Sequence, residues 1–470
     1  MQEGVLNKIC CIGAGYVGGP TMAVIADKCE HLRVTVVDID KEKIKRWNSN
    51  DYSELPVFEP GLSSIIQRKR GKNLFFSDNI KKEITEADII FISVNTPTKK
   101  SGYGAGFASD LKWVEACTRT IADYASGHTI VVEKSTVPVK TAAVIKTILQ
   151  SNQDQIDGKT FSILSNPEFL AEGTAVRDLE NPDRVLIGGE DEYSIECLAS
   201  IYSNWVDKKK IIKTNVWSSE LSKLAANAFL AQRISSINAI GSICEVTGAD
   251  VREVKLAIGY DRRIGKHFLE AGPGFGGSCF KKDILNIIYL CQYFSLPEVA
   301  KYWEQVLSLN DWQIKRISKL VVDKLFGTVN AKKIAILGFS FKANTNDTRE
   351  SSAIQITKEL LSEGANIIIN DPKVDAKQIA HDLRRDPNQE LGNSFGEGSW
   401  SFTEDFKLIF ENSDAVLILT DWEAYKDLPW DKYTKLMRKP SWIFDTRSVV
   451  NPQEIKELGV KLWRIGDGTL

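Results

Sequence analysis

The sequence predicts an α/β fold: two Rossmann-like doubly wound domains joined by a long helical central region. Three observations predict it. A glycine fingerprint, Gly13-Ala14-Gly15-Tyr16-Val17-Gly18, directly follows the apolar run Lys8-Ile9-Cys10-Cys11-Ile12. The order of strands and acids near the start recurs near the end of the chain. Between the two, from about residue 217 to 326, the pattern becomes almost wholly helical.

Taken in order, residues 8–12 run into the glycine turn, and Pro20-Thr21-Met22-Ala23-Val24 continues as a helix. Val34-Thr35-Val36-Val37-Asp38 is a second strand that ends in an acid. Residues 88–94 form a third ahead of Asn95-Thr96-Pro97-Thr98, and Ile130-Val131-Val132-Glu133 a fourth ahead of Lys134-Ser135-Thr136-Val137-Pro138. Continuous Val/Ile runs alternating with helical patterns mean parallel strands buried on both faces. In Ser219-Glu220-Leu221-Ser222-Lys223-Leu224-Ala225-Ala226-Asn227-Ala228-Phe229-Leu230 small and apolar residues dominate, as in a helix packed among others and extending into a dimer surface. The strand order then returns with Lys333-Ile334-Ala335-Ile336-Leu337-Gly338, Ile367-Ile368-Ile369-Asn370-Asp371, residues 414–420 and Trp442-Ile443-Phe444-Asp445. Residues 384–402, rich in Asp, Asn, Gly and Ser, read as a surface loop. The expected division is 1–216, 217–328 and 329–470.

A chain of 470 residues is too long for one core, and about three units are expected. With 43% hydrophobic and 26% charged residues and a net charge of -2, the balance argues against nucleic-acid and membrane-surface partners. Lys208-Lys209-Lys210 reads as a solvated loop. No apolar run reaches the length of a membrane span, and the start of the chain leads straight into a strand, so a cytoplasmic protein is expected. Eight cysteines without C-x-x-C pairing and four histidines without ligand spacing predict reduced thiols and no metal site.

The fingerprint sits where a Rossmann dinucleotide site needs it, between a strand and a helix, and Asp38 follows Gly18 by 20 residues. Its carboxylate can accept hydrogen bonds from the adenosine ribose. It also repels a 2′-phosphate by roughly 4 kcal/mol at about 4 Å and an effective dielectric of about 20, which selects NAD over NADP. Residues 94–98 and Ser135, Thr136 and Val137 fall at carboxyl ends of strands, where the ligand of an open α/β sheet lies.

One cysteine differs in setting from the others. Cys279 stands in Gly274-Phe275-Gly276-Gly277-Ser278-Cys279-Phe280-Lys281-Lys282-Asp283, ahead of the apolar periodicity of Ile284, Leu285, Ile287 and Ile288. Ser278 is the expected N-cap and Cys279 the first-turn residue, where helix amides and the macrodipole favour a thiolate. Asp283 lies one turn further on the same face. A hydride-acceptor site together with a nucleophilic thiol points to oxidation of an alcohol past the aldehyde, to an acid.

Residues 12–20 and 94–98, Glu133 to Pro138 as spelled above, Ser165-Asn166-Pro167-Glu168-Phe169-Leu170-Ala171-Glu172-Gly173-Thr174, and residues 221–231 and 274–283 resemble the UDP-glucose/GDP-mannose dehydrogenase family. The resemblance runs essentially end to end and is closer to the eukaryotic UDP-glucose 6-dehydrogenase members than to bacterial ones, notably at 94–99 and 217–238. It implies an NAD-dependent four-electron oxidation of UDP-glucose to UDP-glucuronate in a homodimer or dimer-based oligomer. It further implies that Cys279, Lys223, Asp283, Glu168, Asn227 and Thr136 are catalytic. Gly13, Ala14, Gly15, Tyr16, Val17, Gly18, Asp38, Lys43, Val94, Asn95, Thr96, Pro97, Thr98, Ser135, Thr136, Val137, Glu172, Cys279 and Lys282 would hold the cofactor. Glu168, Phe169, Leu170, Ala171, Glu172, Lys223, Asn227, Arg263, Phe268, Phe275, Gly276, Phe341, Lys342, Arg349 and Arg447 would hold the nucleotide sugar, with the arginines on phosphate. Unaided, Glu172 reads as a helix-surface charge and each arginine as a surface charge.

The chemistry suits these residue types. Lys223, or a water held by Lys223 and Asp283, can take the hydroxyl proton. Lys223 and Asn227, at i and i+4, can address one oxyanion, Cys279 can carry a thiohemiacetal and thioester, and Glu168 can activate water. Departures from the family pattern at 270–273, 343–346 and 445–448 touch the sugar side. The same motifs also suit oxidation of a UDP-N-acetylhexosamine or GDP-mannose. A two-electron 6-phosphogluconate-type dehydrogenase has no need of Cys279, and an idle nucleotide-sugar scaffold has none of the joint set.

Overall fold

A computed structural model describes residues 7–151, 158–387 and 397–470. Its contacts divide the chain into two compact units: residues up to Ala226 together with Leu285–Phe294, and Asn227–Ile284 together with Ser295–Leu470.

The first unit holds an eight-stranded sheet of β1 (Lys8–Ile12), β2 (Arg33–Val37), β3 (Leu74–Ser77), β4 (Ile89–Ile92), β5 (His128–Glu133), β6 (Thr160–Ser165), β7 (Val185–Gly189) and β8 (Ile211–Thr214). Its order is β3-β2-β1-β4-β5-β6-β7-β8. The apolar runs are explained by period-two packing on both faces: Ile9 and Cys11 join one buried cluster, Cys10 and Ile12 the other. The strand order reverses between β1 and β4, which are neighbours in parallel, and the crevice at their carboxyl ends is framed by the glycine loop and by residues 93–98.

The second unit carries a six-stranded, wholly parallel sheet in the order β11-β10-β9-β12-β13-β14. The strands are β9 (Lys333–Leu337), β10 (Asn366–Asn370), β11 (Trp400–Phe402), β12 (Ala415–Ile418), β13 (Trp442–Asp445) and β14 (Lys461–Arg464). Ile334 and Ile336 face one core, Ala335 and Leu337 the other. Helices Val216–Thr247, Val251–Gly259, Phe280–Tyr293 and Pro297–Lys324 fill the middle of the sequence. No helix among the described residues is long and apolar enough to cross a membrane.

Two details depart from the expectations. Residues 400–402 are an edge strand and not loop: Trp400 is buried and pairs with Ile367, so pairing with β10 decides the conformation where local composition points to a turn; residues 388–396 lie outside the described part. β6 and β7 pair antiparallel, at Leu164–Gly189 and Ser165–Gly188, in a sheet otherwise parallel. As expected of a solvated segment, Lys208–Lys210 is exposed, in a 3-10 turn whose Lys209 amide is held by Asp207.

Candidate active site

The glycine loop has a steric reason for each outer glycine. Gly13 has φ +113°, and a Cβ there would stand 2.1 Å from the Ser93 carbonyl oxygen; a Cβ on Gly18 would stand 2.0 Å from Gly13 O. Gly15 faces open space, so backbone alone borders the room where a pyrophosphate approaches the helix Gly18–Lys28. Val17 is the N-cap of that helix, and Tyr16 packs against the neighbouring core.

Asp38, just beyond β2, accepts from the Ala14 amide (2.9 Å), the Asp40 amide (3.0 Å) and Lys43 Nζ (3.0 Å). Burial raises its pKa, but those amides and the ammonium outweigh it and the net shift is downward. A carboxylate accepts about four hydrogen bonds, which leaves capacity for the ribose diol. The cradle and the acid fit NAD. Asp38→Ala is expected to raise the Michaelis constant for NAD about 10- to 100-fold, the worth of a charged hydrogen bond, and to narrow the preference over NADP. Steady-state kinetics with both cofactors test this, and an unchanged preference would show that Asp38 does not face the ribose.

The loops at the ends of β4 and β5 are fastened to each other. The Val94 amide donates to Ser135 Oγ (2.9 Å), Ser135 Oγ lies 2.8 Å from Val94 O, and Thr96 Oγ1 donates to Thr136 O (2.6 Å). The hydroxyls of Ser135 and Thr96 therefore pin the loops together. Asn95 and Pro97 are exposed beside them, Thr98 bridges Ser109, and Val137 is buried.

Beyond β6, residues 166–173 form an irregular loop, so Glu172 is half-buried in a loop and is not on a helix surface; the next helix begins at Ala175. Glu59 holds that loop by accepting from the amides of Gly173 (2.7 Å) and Ala175 (3.0 Å). Glu168 is buried, with Oε2 on the Leu170 amide (2.9 Å) and Oε1 at 3.3 Å from Lys223 Nζ. Lys223 is 4% exposed on the helix Val216–Thr247, with its ammonium over the Phe169 ring at 5.5 Å. Arg184 covers the same ring at 3.8 Å, and a cavity of about 210 Å³ opens among Phe169, Arg184, Leu186, Ile212, Thr214 and Ser222. Leu221 is half-exposed, on another face from Lys223.

In the second unit the glycine loop ahead of Cys279 is held from several sides. Asn238 Oδ1 accepts from the Gly272 amide, Asn310 Oδ1 from the Phe275 amide, and Arg349 O from the Gly277 amide, each at 2.8 Å. A Cβ on Gly276 would stand 2.4 Å from Glu350 O. The helix starts at Phe280, and the first bond of the helix runs from the Asp283 amide to the Cys279 carbonyl (2.9 Å). Cys279 itself is thus the N-cap, one residue later than expected, and Ser278 precedes the cap with Oγ at 3.5 Å from the Cys279 sulfur. Asp283, 1% exposed, accepts from Asn227 Nδ2 (2.6 Å) and pairs with Lys282 (3.3 Å).

Cys279 is half-buried; elsewhere desolvation raises Cys10 and Cys11, lifts Cys29 to about 11 and takes Cys117 to about 12.

The arginines separate into two kinds. Arg447 reaches Leu419 O (2.9 Å) and Phe341 O (3.2 Å) and lies against Gly272, so it is solvated by carbonyls and desolvation lowers its pKa. Arg349 forks onto Asp347 from the same Phe341–Gly277 neighbourhood, and Lys342 lies half-buried beside Phe341. Arg263 stands apart, 89% exposed, on Asp261 of its own turn. Phe268 is exposed with an edge contact to Phe280, which Phe275 also meets.

Several functional candidates escaped the sequence reading. Lys134 is buried and donates to Asn166 Oδ1, and Glu133 is buried next to Glu220, which accepts from the amides of Lys140 (2.7 Å) and Ala142 (2.8 Å). Burial, joined by Glu220, raises Glu133 well above the carboxylate range. Their signal was present: two charges, Glu133 and Lys134, follow an uninterrupted apolar strand directly.

Three family models match the chain: the UDP-glucose/GDP-mannose dehydrogenase family NAD binding domain over residues 7–206, its central domain over 217–312 and its UDP binding domain over 335–452. The chain is 52% identical over 467 residues to the UDP-glucose 6-dehydrogenase of Mus musculus, covering 98% of this chain and 93% of that one. It is 52% identical over 474 residues to UDP-glucose 6-dehydrogenase 4 of Arabidopsis thaliana, covering 98% and 97%. Among solved structures, a UDP-glucose dehydrogenase from the hyperthermophilic archaeon Pyrobaculum islandicum superposes with a TM-score of 0.83 at 28% identity, covering 99% of each chain.

Proposed function

The chain belongs to the UDP-glucose/GDP-mannose dehydrogenase family, and from that membership we propose that it converts UDP-glucose to UDP-glucuronate through a thiohemiacetal and a thioester on Cys279. It is an oxidoreductase of the UDP-glucose 6-dehydrogenase kind with NAD as cofactor. The observation that carries the proposal is the placement of Cys279: a half-buried thiol at a helix start, one turn from Asp283, whose carboxylate holds Asn227.

Bound NAD supplies the acceptor for the hydride lost from carbon in each of two oxidations. In the first, the C6 hydroxyl loses its proton to a water on Asp283 as the carbon loses hydride, and an aldehyde remains. Lys223, paired with Glu168 at 3.3 Å, is proposed to stabilise an oxyanion, with the water on Asp283 as the base. Cys279 then adds to the aldehyde carbon as thiolate, forming the C–S bond, and Lys223 and Asn227 donate to the resulting oxygen. Each such donor is worth roughly 3 to 4 kcal/mol. Loss of the second hydride converts the thiohemiacetal to a thioester. Water attacks its carbonyl while Glu168 accepts the proton, the C–S bond breaks, and the acid leaves with the thiolate restored.

Arg447, Arg349 and Lys342 are the cations proposed for the diphosphate, with Phe341 and the 272–277 loop beside them. The exposed apolar side chains Phe229, Ile243 and Val246 of the helix Val216–Thr247 support self-association, measurable by light scattering.

The test of the function is stoichiometry. Two NADH are expected per UDP-glucose at completion, since alcohol and thiohemiacetal each deliver a hydride. A yield of one, with free aldehyde as product, would exclude the thioester route.

A further inference from the structure

Lys134 follows the last residue of β5 and is 3% exposed, deeper than most charged groups of the first unit. Its Nζ donates to Asn166 Oδ1 (3.0 Å) and lies 3.3 Å from the Tyr202 hydroxyl, which itself donates to Asn166 Oδ1 (2.7 Å). Asn166 Nδ2 is anchored on Leu186 O (2.7 Å). The ammonium is therefore solvated by two neutral oxygens, an expensive state for a buried charge. Desolvation brings its pKa down to about 8, with Glu168 pulling it up, Lys223 pushing it down and the Cys11 thiol pulling it up slightly.

The titratable groups facing it come from three directions: Glu168 on the loop after β6, Lys223 on the helix Val216–Thr247 and the thiol of Cys11 on β1, which burial keeps neutral; the Tyr202 hydroxyl, raised by burial, stays protonated. One carboxylate thus serves two buried ammonium groups, Lys223 directly at 3.3 Å and Lys134 through space. Asn166 stands two residues before Glu168, so the side chain that solvates Lys134 also anchors the start of the Glu168 loop.

We propose that Lys134 is a positioning residue for hydrolysis of the thioester: by holding Asn166 and by its charge it places Glu168 to take the proton from the attacking water. The inference rests on the reading of Glu168 as the group that activates that water. Lys134 touches neither sugar nor cofactor in this scheme; its effect is carried by Glu168.

The experiment follows the acyl-enzyme by rapid quench and intact-protein mass spectrometry, as a function of pH, in wild type, Lys134→Met, Lys134→Arg, Tyr202→Phe and Glu168→Gln. Lys134→Met is expected to slow deacylation about 10- to 100-fold at neutral pH and to move its acidic limb upward on the order of one pH unit, while the burst of NADH that precedes it changes less than about 3-fold. Lys134→Arg returns the limb toward wild type. Tyr202→Phe moves it in the same direction by less, and decides the matter if Lys134→Met does not fold. A wild-type limb in Lys134→Met, or in Tyr202→Phe where that variant alone is folded, would overturn the inference, since a merely structural role lowers rate without moving the limb. Failure of Glu168→Gln to accumulate acyl-enzyme would overturn the reading of Glu168, and the inference with it.

Discussion

Cys279→Ala is expected to lower UDP-glucuronate formation by at least about 10³-fold, the scale on which removing a covalent nucleophile acts. The reason is local and chemical. Without the thiol no thiohemiacetal forms, and an aldehyde that is not covalently held has no route to the thioester. The fold should tolerate the change: Cys279 is half-buried and belongs to none of the described buried apolar clusters, so loss of one sulfur leaves little cavity and a stability change within about 1 kcal/mol. The backbone of residue 279 keeps its contact with the Asp283 amide, and the loop before it keeps its bonds to Asn238, Asn310 and Arg349. The assay is product analysis by chromatography alongside a thermal melt. NADH released beyond one equivalent per site with near-normal acid formation would remove Cys279 from the mechanism.

How much of this was legible beforehand depends on whether a residue's neighbours in space are also neighbours in sequence. The glycine loop, Asp38 and the parallel strands were readable because strand, turn and helix lie within thirty residues, and the steric demands on Gly13 and Gly18 are met by that same segment and by Ser93. Cys279 was readable for the same reason, with an error of one residue, because the position of the cap depends on which carbonyl accepts the first helical bond. Trp400–Phe402 was not readable: three residues take the extended form only because β10 is there to pair with them. That Ser135 also fastens the loops after β4 and β5 was not readable, because its partner Val94 lies 41 residues away in the chain. The Lys134–Asn166–Tyr202 cluster joins positions 134, 166 and 202, far apart in the chain, and no local pattern relates them.

The charge cluster around Glu168 sets the last expectation. Glu168→Gln should carry both oxidations at rates within about tenfold of wild type and then stall, because an amide cannot accept the proton of the attacking water. The substitution preserves shape: the side-chain oxygen can still accept from the Leu170 amide and from Lys223. It removes the carboxylate that two buried ammonium groups share, which costs stability on the order of 3 kcal/mol unless one of them gives up a proton. Lys134, already drawn down to about 8, is the group positioned to do so, which keeps the variant foldable. After mixing with UDP-glucose and NAD, intact-protein mass spectrometry should therefore show an adduct of the UDP-uronyl group, mapping to Cys279, with two NADH formed per site and no acid released. The adduct should be absent in the Cys279→Ala, Glu168→Gln double variant. Turnover of Glu168→Gln at the wild-type rate would assign water activation to another group, and an adduct on a different cysteine would contradict the thioester proposed at residue 279.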